Sequence, residues 1–196
     1  MTTTRTTLEP VQPLVVASRG LNTRQRTPDQ IGFVVPDLEH AVRCFASDLG
    51  IGPWLIWDYS PPVLAWRTYR GGAGTWSMKA AFVGSKPEIE LIEPLEGPST
   101  YHDFLAANPN GGVHHLAYVV ASFQETAATL TELGVELIQA GGGHGLDGDG
   151  AFGYFDSRRR LGFILEAIQL PARRRAAALV YVDGQFVPND AGLTRP

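Results

Sequence analysis

Two stretches of the chain carry the same alternation of apolar and polar positions. QIGFVVPDLEHAVRCFASDLGI, starting at Gln30, lies over HHLAYVVASFQETAATLTELGV, starting at His114, when Gln30 is set against His115. Phe33 then meets Tyr118, Val34 and Val35 meet Val119 and Val120, Asp37 meets Ser122, and Leu38 meets Phe123. After one gap, Leu49 and Gly50 meet Leu133 and Gly134. A unit repeated at fixed separation says more about architecture than any local propensity.

Each copy opens on a β-branched and aromatic run, 31–35 or 116–120, which predicts a strand. A helix follows, with Asp37 or Ser122 as N-cap and Gly50 or Gly134 as the residue that ends it. Leu38, Ala41, Val42 and Phe45 keep helical spacing in the first copy, as do Phe123, Ala127, Leu130 and Leu133 in the second. Further strands are predicted over 54–59, 78–83 and 88–93, then over 135–139, 151–155 and 163–168. Ser99 would cap a short joining helix carrying Tyr101 and Phe104. The expected fold is therefore α+β, with tandem βαβββ modules over 29–96 and 113–170 forming a curved mixed sheet around a cup. Residues 1–28 read as an N-terminal arm without periodicity. Residues 171–196 read as a C-terminal extension with a β-hairpin, 178–182 and 185–187 about Asp183-Gly184, covering an edge or a partner subunit.

Strand alternation decides which polar side chains enter the cup. Gln30, Gly32 and Val34 share one face of the first strand, and His115, Ala117 and Val119 share one face of its counterpart, with His114 pointing away. Gly32 and Ala117 are both small, which leaves space beside Gln30 and His115. In the last strand of each module, Glu90 and Glu166 fall on the cup face between apolar neighbours. A carboxylate there is costly unless neutralised, and two facing one cup require a cation or a shared proton. One imidazole, two carboxylates and one amide oxygen suit one divalent metal ion, Zn, Ni, Co, Mn or Fe, held by Gln30, Glu90, His115 and Glu166. Trp54, Trp57, Trp66, Tyr69 and Trp76, with Tyr101, are read as aromatic walls of a substrate pocket, and His144, within Gly141 to Gly145, as part of that pocket on a lid.

Composition removes several other readings. The chain of 196 residues, 44% hydrophobic and 18% charged, has a net charge of −4, and no basic stripe for a nucleic acid. Arg158 to Arg160 and Arg173 to Arg175 read either as solvated turns or as a clamp for an acidic substrate group. Cys44, the only cysteine, excludes an internal disulfide and is expected to be a buried thiol. No run is long enough for a secretory signal or a membrane span, so a cytoplasmic protein is expected.

EIELIEPLEGPSTYHDFLAANPNGGVHHLAYVV, together with GFILEAIQ, resembles the vicinal oxygen chelate superfamily over about residues 29–170. That superfamily includes glyoxalase, methylmalonyl-CoA epimerase, extradiol dioxygenases and bleomycin or fosfomycin resistance proteins. The longer stretch is similar to the epimerase branch, whereas Gln30 stands where that branch usually has His. The Gln, Glu, His, Glu set is similar to that of human-type glyoxalase. The resemblance implies a metal-dependent isomerase, epimerase or lyase acting by proton abstraction beside a metal-held substrate oxygen. It puts Glu166 as general base, Glu90 as second choice, and suggests a homodimer acting on a small molecule. A ring-cleaving dioxygenase and a non-catalytic binding or resistance protein are the alternatives. The epimerase branch also implies a second carboxylate on the strand before Glu90, near Thr75 here. No Asp or Glu occurs from Tyr59 to Pro87. Tyr69, Tyr101, His102 and His144 remain as candidate second proton carriers.

Overall fold

The structure is a computed structural model in which residues 27–195 are described. The expected arm over 1–28 lies outside them except for its last two residues. In chain order the first module runs β1 (Gln30–Val34), α1 (Leu38–Leu49), β2 (Trp54–Asp58), a hairpin of β3 (Trp66–Tyr69) and β4 (Gly72–Ala73), β5 (Met78–Val83) and β6 (Glu88–Pro94). Helix α2 (Thr100–Ala107) leads to the second: β7 (Gly112–Val119), α3 (Phe123–Glu132), β8 (Leu137–His144), β9 (Gly150–Phe155), α4 (Arg158–Leu161) and β10 (Ile164–Gln169). The hairpin β11 (Leu179–Val182) and β12 (Gln185–Pro188) follows.

The helix ends are set locally. Asp37, Ser99 and Ser122 accept hydrogen bonds from the backbone amides of His40, His102 and Glu125, so each of the three longer helices starts at a side-chain cap. Gly50 ends α1 in the left-handed region, with its amide donating to the Ala46 carbonyl.

The twelve strands of the described residues form one sheet ordered β12-β11-β2-β5-β6-β1-β7-β10-β9-β8-β3-β4. Within each module the first strand lies parallel to the last, β1 to β6 and β7 to β10, and the two first strands pair antiparallel at the centre. This is a curved, unclosed mixed sheet with its helices on the convex side. Val35, Leu38, Val42, Trp54 and Leu91 pack beneath α1, and Val120, Phe123, Leu130, Phe155 and Ala167 beneath α3. The opposite face holds Val34, Trp57, Ile92, Ala117, Tyr154 and Ile164. Alternating side chains thus build two helix-covered cores and one concave core.

Three elements depart from the expected plan. The β3–β4 hairpin belongs to the first module in sequence but pairs with β8 of the second, Trp66 beside Gly142 and Thr68 beside Ala140. The glycine run 141–143, read as part of a lid, is strand interior. A Cβ on Gly142 would come 2.3 Å from the Trp66 ring, so glycine is what lets β3 close on β8. Cys44 is half-buried, not buried, with its sulfur 3.5 Å from His40 Nε2. At the other end of the sheet β11 covers the edge of β2.

Candidate functional site

The concave face gathers one imidazole and two carboxylates. His115 Nε2 lies 3.2 Å from Glu90 Oε2 and 2.9 Å from Glu166 Oε2, and all three residues are buried. Ligand-capable atoms of these three lie within 4.8 Å of one another. β6, β7 and β10 deliver them from the middle of the sheet, and β1, lying between β6 and β7, adds Gln30. Gly32 makes room for the ring. A Cβ there would sit 1.9 Å from His115 Cε1 and 2.1 Å from Nε2.

Four buried atoms in this group lack a hydrogen-bond partner: Gln30 Oε1, Glu90 Oε2, His115 Nε2 and Glu166 Oε2. Each belongs to a different residue, and each carries a lone pair or a site that can be deprotonated to give one. The His115 contacts are close, yet their angles are not those of hydrogen bonds. Burying four such groups unpartnered costs several kcal/mol, on the order of 1–3 each. Burial pushes the Glu90 carboxyl up, and His115 pulls it back. For His115 burial acts downward, but Glu166 and Glu90 together hold the imidazole up to about 9. The cluster therefore draws in positive charge, as a proton or as a cation. The donor set fits a divalent ion.

His114 was expected to point away from the cup. It does not, because β7 carries a bulge: Gly32 pairs with His115 and Phe33 with Val113, which leaves His114 as the extra residue. Both rings then fall on the same side, Nδ1 to Nδ1 at 3.1 Å, with His114 packed between Tyr101 and Phe104. If His115 Nε2 serves as a ligand, its ring proton sits on Nδ1 and donates to His114 Nδ1, which would hold the ring from behind.

The Glyoxalase/Bleomycin resistance protein/Dioxygenase superfamily model matches residues 29–154, well over half of the chain. The chain belongs to this superfamily. Glu166 lies beyond the matched residues, on the strand that completes the second module. Among curated proteins of the superfamily's epimerase type, the ethylmalonyl-CoA/methylmalonyl-CoA epimerase of Cereibacter sphaeroides is 37% identical over 62 residues, 30% of this chain and 46% of that protein. The mitochondrial methylmalonyl-CoA epimerase of Dictyostelium discoideum is 27% identical over 111 residues, 56% of this chain and 58% of that protein. The chain thus spans about half the length of the curated relatives it matches. A solved methylmalonyl-CoA epimerase from Mycobacterium tuberculosis shares the fold, with 20% identity, a TM-score of 0.50, and coverage of 74% of this chain and 88% of the other.

Of the residues read as the pocket of this superfamily member, His144 lines the inner chamber and Trp57 the cavity that adjoins it, and the others do neither. Trp54 faces α1, because on β2 the residues turned to the concave side are Leu55 and Trp57. Tyr69 lies on the outlying β3 strand, its hydroxyl donating to Asp103. Trp76 and Tyr101 are fully buried behind the wall, the indole N–H donating to the Thr68 carbonyl and the Tyr101 hydroxyl to Tyr154. The His102 ring lies against the cap of its own helix, its Nδ1 2.9 Å from Ser99 Oγ.

The chamber containing Gln30, Glu90 and Glu166 is instead walled by Tyr59, Phe82, Phe152, Tyr154, Ile168 and Arg195. An outer cavity adjoins it through Tyr59, His144, Ile168 and Arg195, and adds Trp57, Leu170, Arg174 and Arg175. Burial pushes the Tyr59 phenol up to about 12, and burial with Arg195 nearby pushes His144 down to about 4. At neutral pH one is a proton donor and the other an uncharged acceptor. Of the two arginine runs, Arg158 pairs with Asp156 and Arg173 with Asp147, whereas Arg174 and Arg175 reach the outer cavity. Phe82, Phe152 and Tyr154 sit on strands already expected, opposite Glu90, Ile168 and Glu166, a cross-strand register that alternation within one strand does not give. Arg195 had no signal in the sequence.

Proposed function

We propose that the protein is a divalent-metal-dependent isomerase or epimerase, with lyase chemistry as the nearest variant, acting on a small molecule with an apolar or aromatic body. The observation that carries the reading is a set of four unpartnered buried donor atoms: Gln30 Oε1, Glu90 Oε2 and Glu166 Oε2, whose residues line one chamber, and His115 Nε2, within 3.2 Å of both carboxylates. These four residues would hold one ion, Zn, Ni, Co, Mn or Fe. When bound, such an ion lowers the cost of negative charge on a substrate oxygen and so acidifies the neighbouring C–H bond.

The remaining work falls to side chains. Glu166 is the base: its carboxylate takes the proton from the acidic carbon, and the electron pair left behind spreads onto the adjacent oxygen. Glu90 is the alternative base. Phe82, Phe152 and Ile168 exclude water from the chamber, which strengthens every charge interaction inside it. Trp57 and Leu170 receive the substrate body in the outer cavity. Return of the proton to the same face gives exchange alone, and inversion needs a carrier opposite Glu166. His144 lines the chamber, and its neutral ring can give its N–H proton to the carbon while the unpartnered Nδ1 takes up another. The names of the curated relatives, epimerases of acyl-CoA substrates, agree with proton transfer at carbon.

Methylmalonyl-CoA incubated in D₂O with the metal-loaded protein is the test. The acidic hydrogen should exchange faster than the centre inverts, Glu166→Gln should lose the exchange while still holding metal, and His144→Phe should suppress only inversion. Undiminished exchange in metal-loaded Glu166→Gln would remove Glu166 from the role of base. Tight retention of aromatic compounds without exchange on any acidic substrate would instead favour a binding protein, a reading supported by the aromatic walls.

A further inference from the structure

Gln30 can face the cluster in two ways, and only one presents a metal-binding atom. Its amide nitrogen has no lone pair to give, so the oxygen must point inward. Here the nitrogen donates to Glu88 Oε2 at 2.7 Å, and Oε1 is the atom left unpartnered. A carboxylate can only accept, so a fixed Glu88 admits the amide nitrogen and rejects the oxygen. Glu88 is itself fixed from its other side. Arg195 donates through Nε to Oε1 at 3.0 Å and through Nη2 to Oε2, a two-pronged clamp.

The clamp comes from the end of the chain, and the tail is placed to supply it. The Asn189 side chain bonds both the amide and the carbonyl of Leu193, and the Ala177 amide donates to that same carbonyl. Two residues later the Arg195 guanidinium lies 3.8 Å over the Phe82 ring, inside the wall of the chamber. A free surface arginine would gain little from one exposed carboxylate. This one is largely buried, as is Glu88, so each would be costly without the other.

We infer that Glu88 and Arg195 are positioning residues, a relay from the C-terminal tail that turns the Gln30 amide so its oxygen faces the metal cluster. The inference rests on the metal reading proposed above. It makes residues beyond the matched repeat part of the site. In the second module the corresponding support comes from His114 behind His115, so the two modules orient their first-strand ligands by unrelated means.

Co²⁺ titration of the full-length protein, followed by visible absorption and by calorimetry, tests this. Glu88→Gln offers either an oxygen or a nitrogen to Gln30, and Arg195→Gln leaves Glu88 unclamped. Each should weaken Co²⁺ binding roughly 10–100-fold and change the ligand-field bands, with Arg195→Lys recovering part of the loss. If the relay acts through Gln30, adding Glu88→Gln to Gln30→Ala should cost little more than Gln30→Ala alone. Wild-type affinity and spectrum in both Glu88→Gln and Arg195→Gln would overturn the relay while leaving the metal site standing. Additive losses in the double variant would also overturn it. Absence of stoichiometric Co²⁺ binding by the wild type would remove both the relay and the proposed function.

Discussion

The two modules arrive at one chamber by different local means, and the differences show what the repeat conserves. Both deliver a ligand from the first strand and a carboxylate from the last: Gln30 and Glu90, then His115 and Glu166. Around these the modules diverge. At Gly32 the first module has no room for a Cβ because the His115 ring occupies it, while the second has Ala117 at the repeat-equivalent place, buried and accommodated. β2 fills its surroundings with Trp54 and Trp57, whereas β8 carries Gly141 against Trp76, Gly142 against Trp66 and Gly143 against Ala65. Backbone topology is common to both halves. Side-chain volume and the support of each ligand are not.

The largest effect should come from disturbing the unequal pair Gly32 and Ala117. Gly32→Ala puts a methyl group into the His115 ring, and since the obstacle is a packed imidazole between two carboxylates, the ring must leave its place. Stoichiometric metal binding should be lost or weakened roughly 100-fold or more, measurable by calorimetric titration. Ala117→Gly should cost only about 1 kcal/mol in denaturant unfolding, with metal binding retained. Equal effects at the two positions would erase the distinction between the modules.

Next comes the contrast between the two faces of β2. Trp54→Ala removes a fully buried ring from the core under α1 and should destabilise the protein by about 3–5 kcal/mol in urea unfolding while metal affinity holds. A change in metal affinity comparable to that of Gly32→Ala would mean that Trp54 reaches the chamber after all.

Where β2 ends in Asp58, His144 ends β8 with an imidazole. Burial holds its folded pKa near 4, below the usual value of 6.5, so the unfolded chain takes up a proton first. The stability tied to neutral His144 is complete above pH 6.5 and is lost as pH falls from there towards 4, by up to about 3 kcal/mol. His144→Phe should flatten this part of the pH–stability curve. An identical slope in the variant would assign it to other groups.

The smallest effect concerns the bulge. His114→Phe keeps the ring volume between Tyr101 and Phe104 but removes the acceptor for His115 Nδ1–H, and metal affinity should drop roughly 10-fold. An unchanged affinity would show that packing alone aims His115.

Much of the fold was legible because it is repeated. The Asp37 and Ser122 caps, the helix faces of Leu38 and Phe123, and the alternation about Glu90 and Glu166 are all local signals, each read twice. The parts that were not legible depend on distant neighbours. A bulge is a property of pairing, so no pattern around His114 announces that both imidazoles fall on one side. Gly141 to Gly143 read as loop because nothing nearby in sequence shows the Trp76, Trp66 and Ala65 side chains that make their smallness necessary. Trp54 and Trp57 read together as pocket wall, and only the phase of β2, one residue either way, decides that Trp57 faces the concave side and Trp54 faces α1. Arg195 lies outside the repeat, where alternation gives no guide.

The central claim is that Gln30, Glu90, His115 and Glu166 form one metal site, and elemental analysis of gently purified protein, paired with metal titration of wild type and His115→Ala, tests it most directly. One divalent ion per chain in the wild type and none retained by His115→Ala is the predicted result. No stoichiometric binding of Zn, Ni, Co, Mn or Fe by the wild type, or undiminished binding by His115→Ala, would contradict it.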